Sequence, residues 1–252
     1  MWLPGAVSAT FRGKGADDII RLCAENHLAG VEWSENAHVF PGDPEGAAHL
    51  GERTRRAGLR VAAYGSYYRL GSACPPWDDF KRSLVSARAL GAKVIRVWAG
   101  THPSAQATRE YAARVAAEAA AIAGLAAEAG IRVAFEWHRD TLTDTNESAM
   151  TLLRHAGHPN LYCLWQPTAA LTPAQRVDGL RGLGDRLLNL HVYYWPDDVR
   201  RPLAEGMDDW RRYLACAGPG GGRFALLEFV MGDTEAQFAR DAAALRELLA
   251  EV

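Results

Sequence analysis

A chain of 252 residues with 48% hydrophobic content can bury one large core, and its length is typical of a single α/β barrel. The net charge of -2, from 28 basic and 30 acidic residues, offers no field for a polyanion and disfavours a nucleic acid partner. Four scattered cysteines argue against a disulfide framework, and the absence of both a signal peptide and a run of about 18 apolar residues argues against secretion or a membrane span, so we expect a cytoplasmic protein.

Strand and helix patterns alternate about eight times along the chain, and no linker divides it. Strands are predicted over residues 6–10, 30–33, 60–68, 94–98, 132–135, 161–165, 187–191 and 224–228. Helices are predicted around residues 19–23 and over residues 44–57, 77–90, 108–130, 146–156, 173–180, 208–217 and 234–251. This alternation requires a parallel sheet, and at eight units we predict that the sheet closes into a single-domain (β/α)8 TIM barrel over residues 1–252. Asp144, with Glu147 three residues on, predicts a capping box for the fifth helix.

Four consecutive predicted strands end in a group that can bind a metal. Glu136 ends the fifth strand, Gln166 the sixth, His191 the seventh and Glu228 the eighth. The loops after the strands carry the chemistry in such barrels, so we expect these side chains to meet at one mouth. Three oxygen donors and one imidazole suit a divalent metal such as Mn, Co, Zn or Mg.

The same residues suggest a reaction. Two carboxylates balance the charge of one divalent cation, and open positions on the metal would let two adjacent substrate oxygens chelate it. Chelation polarises a carbonyl and acidifies the neighbouring C–H bond. Glu136 and Glu228 are then the catalytic candidates, one removing a proton and the other returning one.

Further residues are candidates for contact with a small polyhydroxylated substrate. His138 lies two residues beyond Glu136 and faces the same side, where it could contact substrate or orient that carboxylate. Glu32 ends the second strand and could bind a substrate hydroxyl or pair with Arg96. Aromatic residues near strand ends could line a sugar-like ring or pack at the barrel rim. These are Trp33, Trp98, Trp165, Trp195, Tyr64, Tyr67 and Tyr68.

Two glycine-containing loops resemble anion sites. RGKG, residues 12–15, follows a strand and opens a helix, which is the correct end of the barrel for an anion, although such a loop with one lysine is usually a turn. AGPGGGRF, residues 217–224, precedes its strand and should lie at the opposite end. Because neither forms a strong phosphate clamp, we expect an unphosphorylated substrate.

Four motifs carry a resemblance to a known family: FEWHRDTLTDTNES, YCLWQPT, LLNLHVYYW and FALLEFVMGD, at strands five to eight. With them, essentially the whole chain resembles the xylose isomerase-like TIM barrel superfamily, the sugar isomerase/epimerase group that includes AP endonuclease family 2. The resemblance implies Glu, Asp, His and Glu at the four strand ends, and Gln166 is the departure. An amide brings no charge, so it should weaken metal binding while leaving a bound ion more electrophilic.

The leading hypothesis is a metal-dependent isomerase or epimerase of a sugar, cyclitol or polyhydroxy ketone, acting through a metal-bound enediolate. A dehydratase could use the same site. A metal-independent or non-catalytic ligand-binding barrel in a biosynthetic pathway is a further alternative, which Gln166 keeps open. A DNA-repair nuclease is disfavoured because it needs many more histidine ligands at the strand ends. The sequence leaves the oligomeric state open, with a homodimer or homotetramer as candidates.

Overall fold

Eight parallel strands close into a barrel in chain order, and β1 pairs with both β2 and β8. The computed structural model describes residues 1–72 and 74–251. The strands are β1 Leu3–Val7, β2 Gly30–Ser34, β3 Arg60–Arg69, β4 Val94–Trp98, β5 Arg132–Glu136, β6 Leu161–Trp165, β7 Leu187–Val192 and β8 Phe224–Leu227. The main helices are α1 Ala16–Glu25, α2 Pro44–Arg56, α3 Asp78–Leu90, α4 Arg109–Glu128, α5 Asn146–Ala156, α6 Pro173–Leu183, α7 Met207–Ala217 and α8 Glu235–Ala250. The predicted (β/α)8 barrel is confirmed.

The first strand lies earlier than predicted. Residues 6–10 were expected to form it, but β1 is Leu3–Val7 and the chain then enters a short 3-10 helix, Ser8–Phe11. Pairing fixes this position, because Leu3 aligns with Phe224 of β8 and Gly5 with Gly30 of β2. Barrel closure therefore outweighs the unfavourable Pro4 and Gly5 in the strand.

Apolar residues fill the barrel below its functional end. Val94, Ala134 and Leu164 belong to one buried cluster, and each lies two positions before a polar residue of the barrel mouth, Arg96, Glu136 or Gln166. Side chains two apart on a strand share a face, so the apolar layer supports the polar layer above it. A much larger apolar cluster includes residues of both strands and helices and packs the helical shell onto the barrel.

Threonine caps begin four of the helices that follow strands. The side chains of Thr108, Thr145, Thr172 and Thr234 each accept a hydrogen bond from a backbone N–H in the first turn. Such caps satisfy donors that the helix leaves unpaired. The cap predicted at Asp144 is wrong: Thr145 has the extended backbone of a cap, and the Asp144 carboxylate instead accepts from the Ser104 backbone at 2.9 Å.

The four cysteines are free, and none of the described helices has the length and apolar content needed to cross a membrane.

Gly30 provides a test of how tightly the barrel closes. A Cβ added there would lie 2.6 Å from the Arg60 carbonyl oxygen and 2.7 Å from the Phe224 ring. We expect Gly30→Ala to lower the free energy of unfolding by about 1–3 kcal/mol, since the backbone cannot move aside freely. Gly182→Ala is the matched control: this exposed helical glycine has nothing within 4 Å of the added carbon, so we expect stabilisation of about 0.5–1 kcal/mol. Urea denaturation measures both, and unchanged stability of Gly30→Ala would contradict the expectation.

Candidate active site

Six buried polar side chains meet at the C-terminal end of the barrel. They come from β2, β4, β5 and β7 and from the residues that directly follow β6 and β8. Burying so many ionisable groups is costly unless they neutralise one another. They are Glu32, Arg96, Glu136, Gln166, His191 and Glu228.

Arg96 joins two of the carboxylates. Its Nε lies 3.5 Å from Glu32 Oε1 and its Nη1 lies 3.2 Å from Glu136 Oε2. Gly65 on the neighbouring strand leaves room for this pair, because a Cβ there would lie 2.8 Å from Glu32 Oε1. Burial opposes charge on Glu136, but the attraction of Arg96, together with that of His191 and His138 and the hydrogen bond from Trp98, outweighs it and lowers the pKa of Glu136 below its usual value. The carboxylate is therefore an anion at neutral pH.

His191 lies between the remaining carboxylates. Its Nε2 is 3.2 Å from Glu32 Oε2, and its Nδ1 faces Glu228 Oε2 at 3.2 Å and Glu136 Oε1 at 3.8 Å. Burial disfavours the imidazolium, yet the negative charges of Glu228 and Glu32 raise the pKa of His191 well above 6.5. The negative charges that hold a proton on this buried imidazole would also attract a metal cation.

The two candidate catalytic carboxylates differ in their surroundings. Glu136 accepts hydrogen bonds from Trp98 Nε1 and from Gln166 Nε2, the latter at 3.1 Å, in addition to its ion pair with Arg96. For the Glu228 carboxylate, the described residues supply one close charged neighbour, His191, whose Nδ1 lies 3.2 Å from Oε2. Glu136 is thus held by more partners than Glu228.

The residues fit a divalent metal ion. Donor atoms of Glu136, His191 and Glu228 lie within 4.8 Å of one another, and His191 Nδ1 is buried without a hydrogen-bond partner among the described residues. The contact between Nε2 and Glu32 is the outer carboxylate contact that orients metal-binding histidines. Gln166 adjoins the cluster through Glu136, and rotation of its amide would exchange the NH2 group for an oxygen donor.

A pocket of about 250 Å³ opens above this cluster. Glu136, Gln166 and Glu228 line its floor. Trp98 forms one wall of the pocket. Its ring centroid lies 3.6 Å from the Arg69 guanidinium and 5.3 Å from the centroid of the stacked His138 ring. Four further aromatic residues line the pocket, Tyr67, Tyr193, Trp195 and Phe229, together with polar residues that include Arg12, Arg139, Thr168 and Asp198.

The structure brings together most of the residues singled out from the sequence. The four metal candidates converge, and His138, Trp98 and Trp195 line the pocket. Two substrate-binding candidates lie elsewhere. Glu32 is beneath the floor, fully buried against Arg96 and His191, and Tyr64 faces away, with its hydroxyl donating to Glu35 at 3.0 Å.

Strand alternation explains which aromatic residues reach the pocket. Trp33 follows Glu32 and therefore faces the helices, where its Nε1 donates to Thr54 at 3.2 Å. Trp165 precedes Gln166 and likewise packs outward, against Trp210 and Tyr213. Trp98 has the parity of Arg96 and faces inward. Sequence reasoning missed Tyr193 and Phe229, which follow the strand ends by one or two residues.

Several solved structures share this fold. The probable 3-DHS dehydratase AsbF from Bacillus anthracis, involved in petrobactin synthesis, has a TM-score of 0.79 at 17% identity, covering 98% of this chain and 99% of that one. An L-ribulose 3-epimerase has a TM-score of 0.78 at 15% identity, covering 100% and 95%. IolI, solved with a zinc atom, has a TM-score of 0.76 at 12% identity, covering 99% and 98%. At these identities the likeness shows the fold alone.

Sequence comparison with curated proteins gives no significant match. The profile of one family nevertheless matches residues 20–247, which is most of the chain and includes all six polar residues of the barrel mouth. The resemblance carried by the four strand-end motifs is thereby confirmed, and the chain belongs to the xylose isomerase-like TIM barrel family.

Proposed function

We propose that the protein is a metal-dependent isomerase or epimerase of a small sugar, cyclitol or polyhydroxy ketone, which it converts by removing a proton next to a carbonyl. The observation that carries this proposal is the convergence of Glu136, His191 and Glu228 on the floor of a pocket of about 250 Å³. The names of two proteins with the same fold, an L-ribulose 3-epimerase and a D-allulose 3-epimerase, support the reaction class.

Four residues would hold the metal: Glu136, Gln166, His191 and Glu228. When bound, a divalent ion supplies a Lewis acid that polarises the substrate carbonyl and acidifies the adjacent C–H bond. The chain itself contributes charge balance. Arg96 offsets Glu32, and His191 would give up its proton on binding the metal, so the charges of Glu136 and Glu228 are left to match those of one divalent ion.

Glu228 is the residue we propose as the base. Its carboxylate lines the pocket and lacks the three donors that hold Glu136 as an anion. A carboxylate with fewer hydrogen bonds and ion pairs loses less stabilisation when it accepts a proton, and so it serves better as a base. Glu136 also faces the pocket, from β5. To return a proton it would first have to take one up, which its partners oppose, so we assign it chiefly to holding the metal.

The aromatic wall would hold and orient the substrate. Trp98, Tyr67 and Trp195 present ring faces and edges to the pocket, and such surfaces pack against the C–H faces of sugar-like rings. His138 stacks on Trp98 and lines the same pocket, and its Nδ1 contacts the Arg139 carbonyl oxygen, so Nε2 is the atom that would contact substrate hydroxyls. The wall also limits the access of water to the reacting carbon.

An isomerase, an epimerase and a dehydratase of this kind would all begin by removing a proton from the substrate. Exchange of that proton with solvent tests this step. With Mn²⁺ and a panel of ketoses, inososes and related polyhydroxy ketones, we expect deuterium from D₂O to enter the carbon next to the carbonyl, as measured by NMR. EDTA should abolish exchange, and Glu228→Gln should slow it by at least about 100-fold because the base is lost. A dehydratase would show the same exchange with loss of water. Absence of exchange across the panel would argue for a ligand-binding barrel.

Removal of one carboxylate should reduce metal binding. We expect Glu228→Gln to weaken Mn²⁺ affinity by more than about tenfold. Substitution of a residue that merely orients a metal ligand already weakens metal binding by about 10- to 100-fold. Glu118→Gln is the control, because Glu118 is equally buried but accepts from Tyr68 and the Gly71 backbone, away from the mouth. Calorimetric titration and metal analysis measure this, and equal metal content in wild type and both variants would contradict a metal site.

Gln166→Glu separates a metal site from a metal-free one. The new carboxylate would lie beside Glu136 Oε1, where Gln166 Nε2 now donates at 3.1 Å. In EDTA we expect the free energy of unfolding to fall by about 1–4 kcal/mol, since two adjacent carboxylates repel unless one is protonated. Saturating Mn²⁺ should reverse the loss, because the ion then binds a more negative site. Equal destabilisation with and without Mn²⁺ would count against the metal.

A further inference from the structure

Arg12 is a cation of the pocket wall that the proposed reaction does not use. It lies on the loop after β1 and lines the same pocket as Glu136 and Glu228. Its Nη2 donates to the Tyr67 hydroxyl at 2.9 Å, and its guanidinium lies 6.0 Å from the Tyr67 ring centroid and 5.6 Å from that of Phe229. These contacts position the charge without neutralising it.

Three other cations around this mouth have acidic partners, and a fourth, Arg69, lies over the Trp98 ring and does not line this pocket. Lys14 Nζ lies 2.6 Å from Glu235, and Arg200 Nη1 lies 2.7 Å from Asp233. Arg139 faces Asp198 at 3.6 Å. Across residues 1–72 and 74–251, Arg12 forms no ion pair with a carboxylate. Its remaining N–H groups are therefore available to a ligand in the pocket.

Phe229 is held in a strained conformation that places its ring beside Arg12. Its φ is 49°, in the left-handed region that bulky residues rarely adopt. The Thr10 hydroxyl accepts from its backbone N–H at 3.1 Å, and its ring packs 5.9 Å from Trp195. Strain of this kind persists where surrounding contacts over-determine it, and it clusters at ligand sites.

The pocket is thus polarised from floor to mouth. The floor carries the carboxylates of Glu136 and Glu228, which repel an anion, whereas the mouth carries the unpaired guanidinium of Arg12. A ligand with a carbonyl and hydroxyls at one end and a negative charge at the other would be oriented by both ends. Arginine suits this because its planar fork binds a carboxylate with two parallel hydrogen bonds.

We propose that the substrate is a sugar-like acid whose carboxylate binds Arg12 while its carbonyl end faces the floor. This inference rests on the proposed function, since it assigns the substrate class of that same pocket. Of the three described arginines that line the pocket, Arg96 and Arg139 have acidic partners and Arg12 has none, and one such charge favours a carboxylate over a doubly charged phosphate. The proposal also gives the Tyr67 hydroxyl a role, because this group accepts a hydrogen bond from Arg12 and fixes its guanidinium before the ligand binds.

Three ligands that differ only at carbon six test the proposal: D-glucuronate, D-glucose and D-glucose 6-phosphate. Calorimetric titration would be done with and without Mn²⁺. We expect wild type to bind D-glucuronate at least about tenfold tighter than D-glucose, the usual effect of a hydrogen-bonded charge pair. Arg12→Gln should remove the difference, and Arg12→Lys should restore part of it. Lys14→Gln, on the same loop but already paired with Glu235, should leave it unchanged.

Equal binding of D-glucuronate and D-glucose, or no measurable binding of any of the three, would overturn the proposal. Tighter binding of D-glucose 6-phosphate alone would assign a phosphate to Arg12 and overturn the carboxylate. Persistence of the preference in Arg12→Gln would place the anion elsewhere. These outcomes can be told apart from failure of the proposed function. That failure would show as absence of Mn²⁺ binding and of deuterium exchange in the wild-type protein.

Discussion

The mouth of the barrel depends on one buried guanidinium. Arg96 comes from the middle of β4 and bridges Glu32 and Glu136, two carboxylates that would otherwise repel each other in a site with little water. Burial lowers the pKa of a guanidinium, but the nearby charges of Glu136 and Glu32 raise that of Arg96 above its usual value. Gly65 is required next to it, because any side chain would contact the pair. The arginine therefore keeps both carboxylates charged and in place.

Glu32 acts on the proposed chemistry through His191. Its Oε1 faces Arg96 and its Oε2 faces His191 Nε2, so one fully buried carboxylate fixes both a cation and an imidazole. The other ring nitrogen then faces Glu136 and Glu228 in a defined orientation. Burial opposes charge on Glu32, but His191 and Arg96 lower its pKa, so the carboxylate keeps its charge and the orientation of His191 persists. A residue outside the pocket thus sets the geometry inside it.

The fold and the floor of the site could be predicted from the sequence, because both follow from local patterns. Repeated strands and helices require a closed parallel barrel, and a polar residue at the end of an apolar strand points to the mouth. Alternation also separates Trp98, which faces inward, from Trp33 and Trp165, which face the helices. The RGKG loop was placed at the correct end of the barrel for an anion, but the contacts of Arg12 could not be predicted. Arg12 and Phe229 meet only after closure of β1 onto β8, and the positive φ of Phe229 has no signal in the sequence.

Gln166 is best understood through the charge of the whole site. When His191 binds a metal it is neutral. Glu32 and Arg96 then cancel, which leaves the two negative charges of Glu136 and Glu228. A divalent ion would make this set neutral, and a third free carboxylate at residue 166 would leave it negative. A neutral floor repels a distant substrate carboxylate less than a negative one does. The amide at residue 166 and the unpaired arginine at the mouth are therefore consistent with each other, since both favour the entry of an anionic substrate.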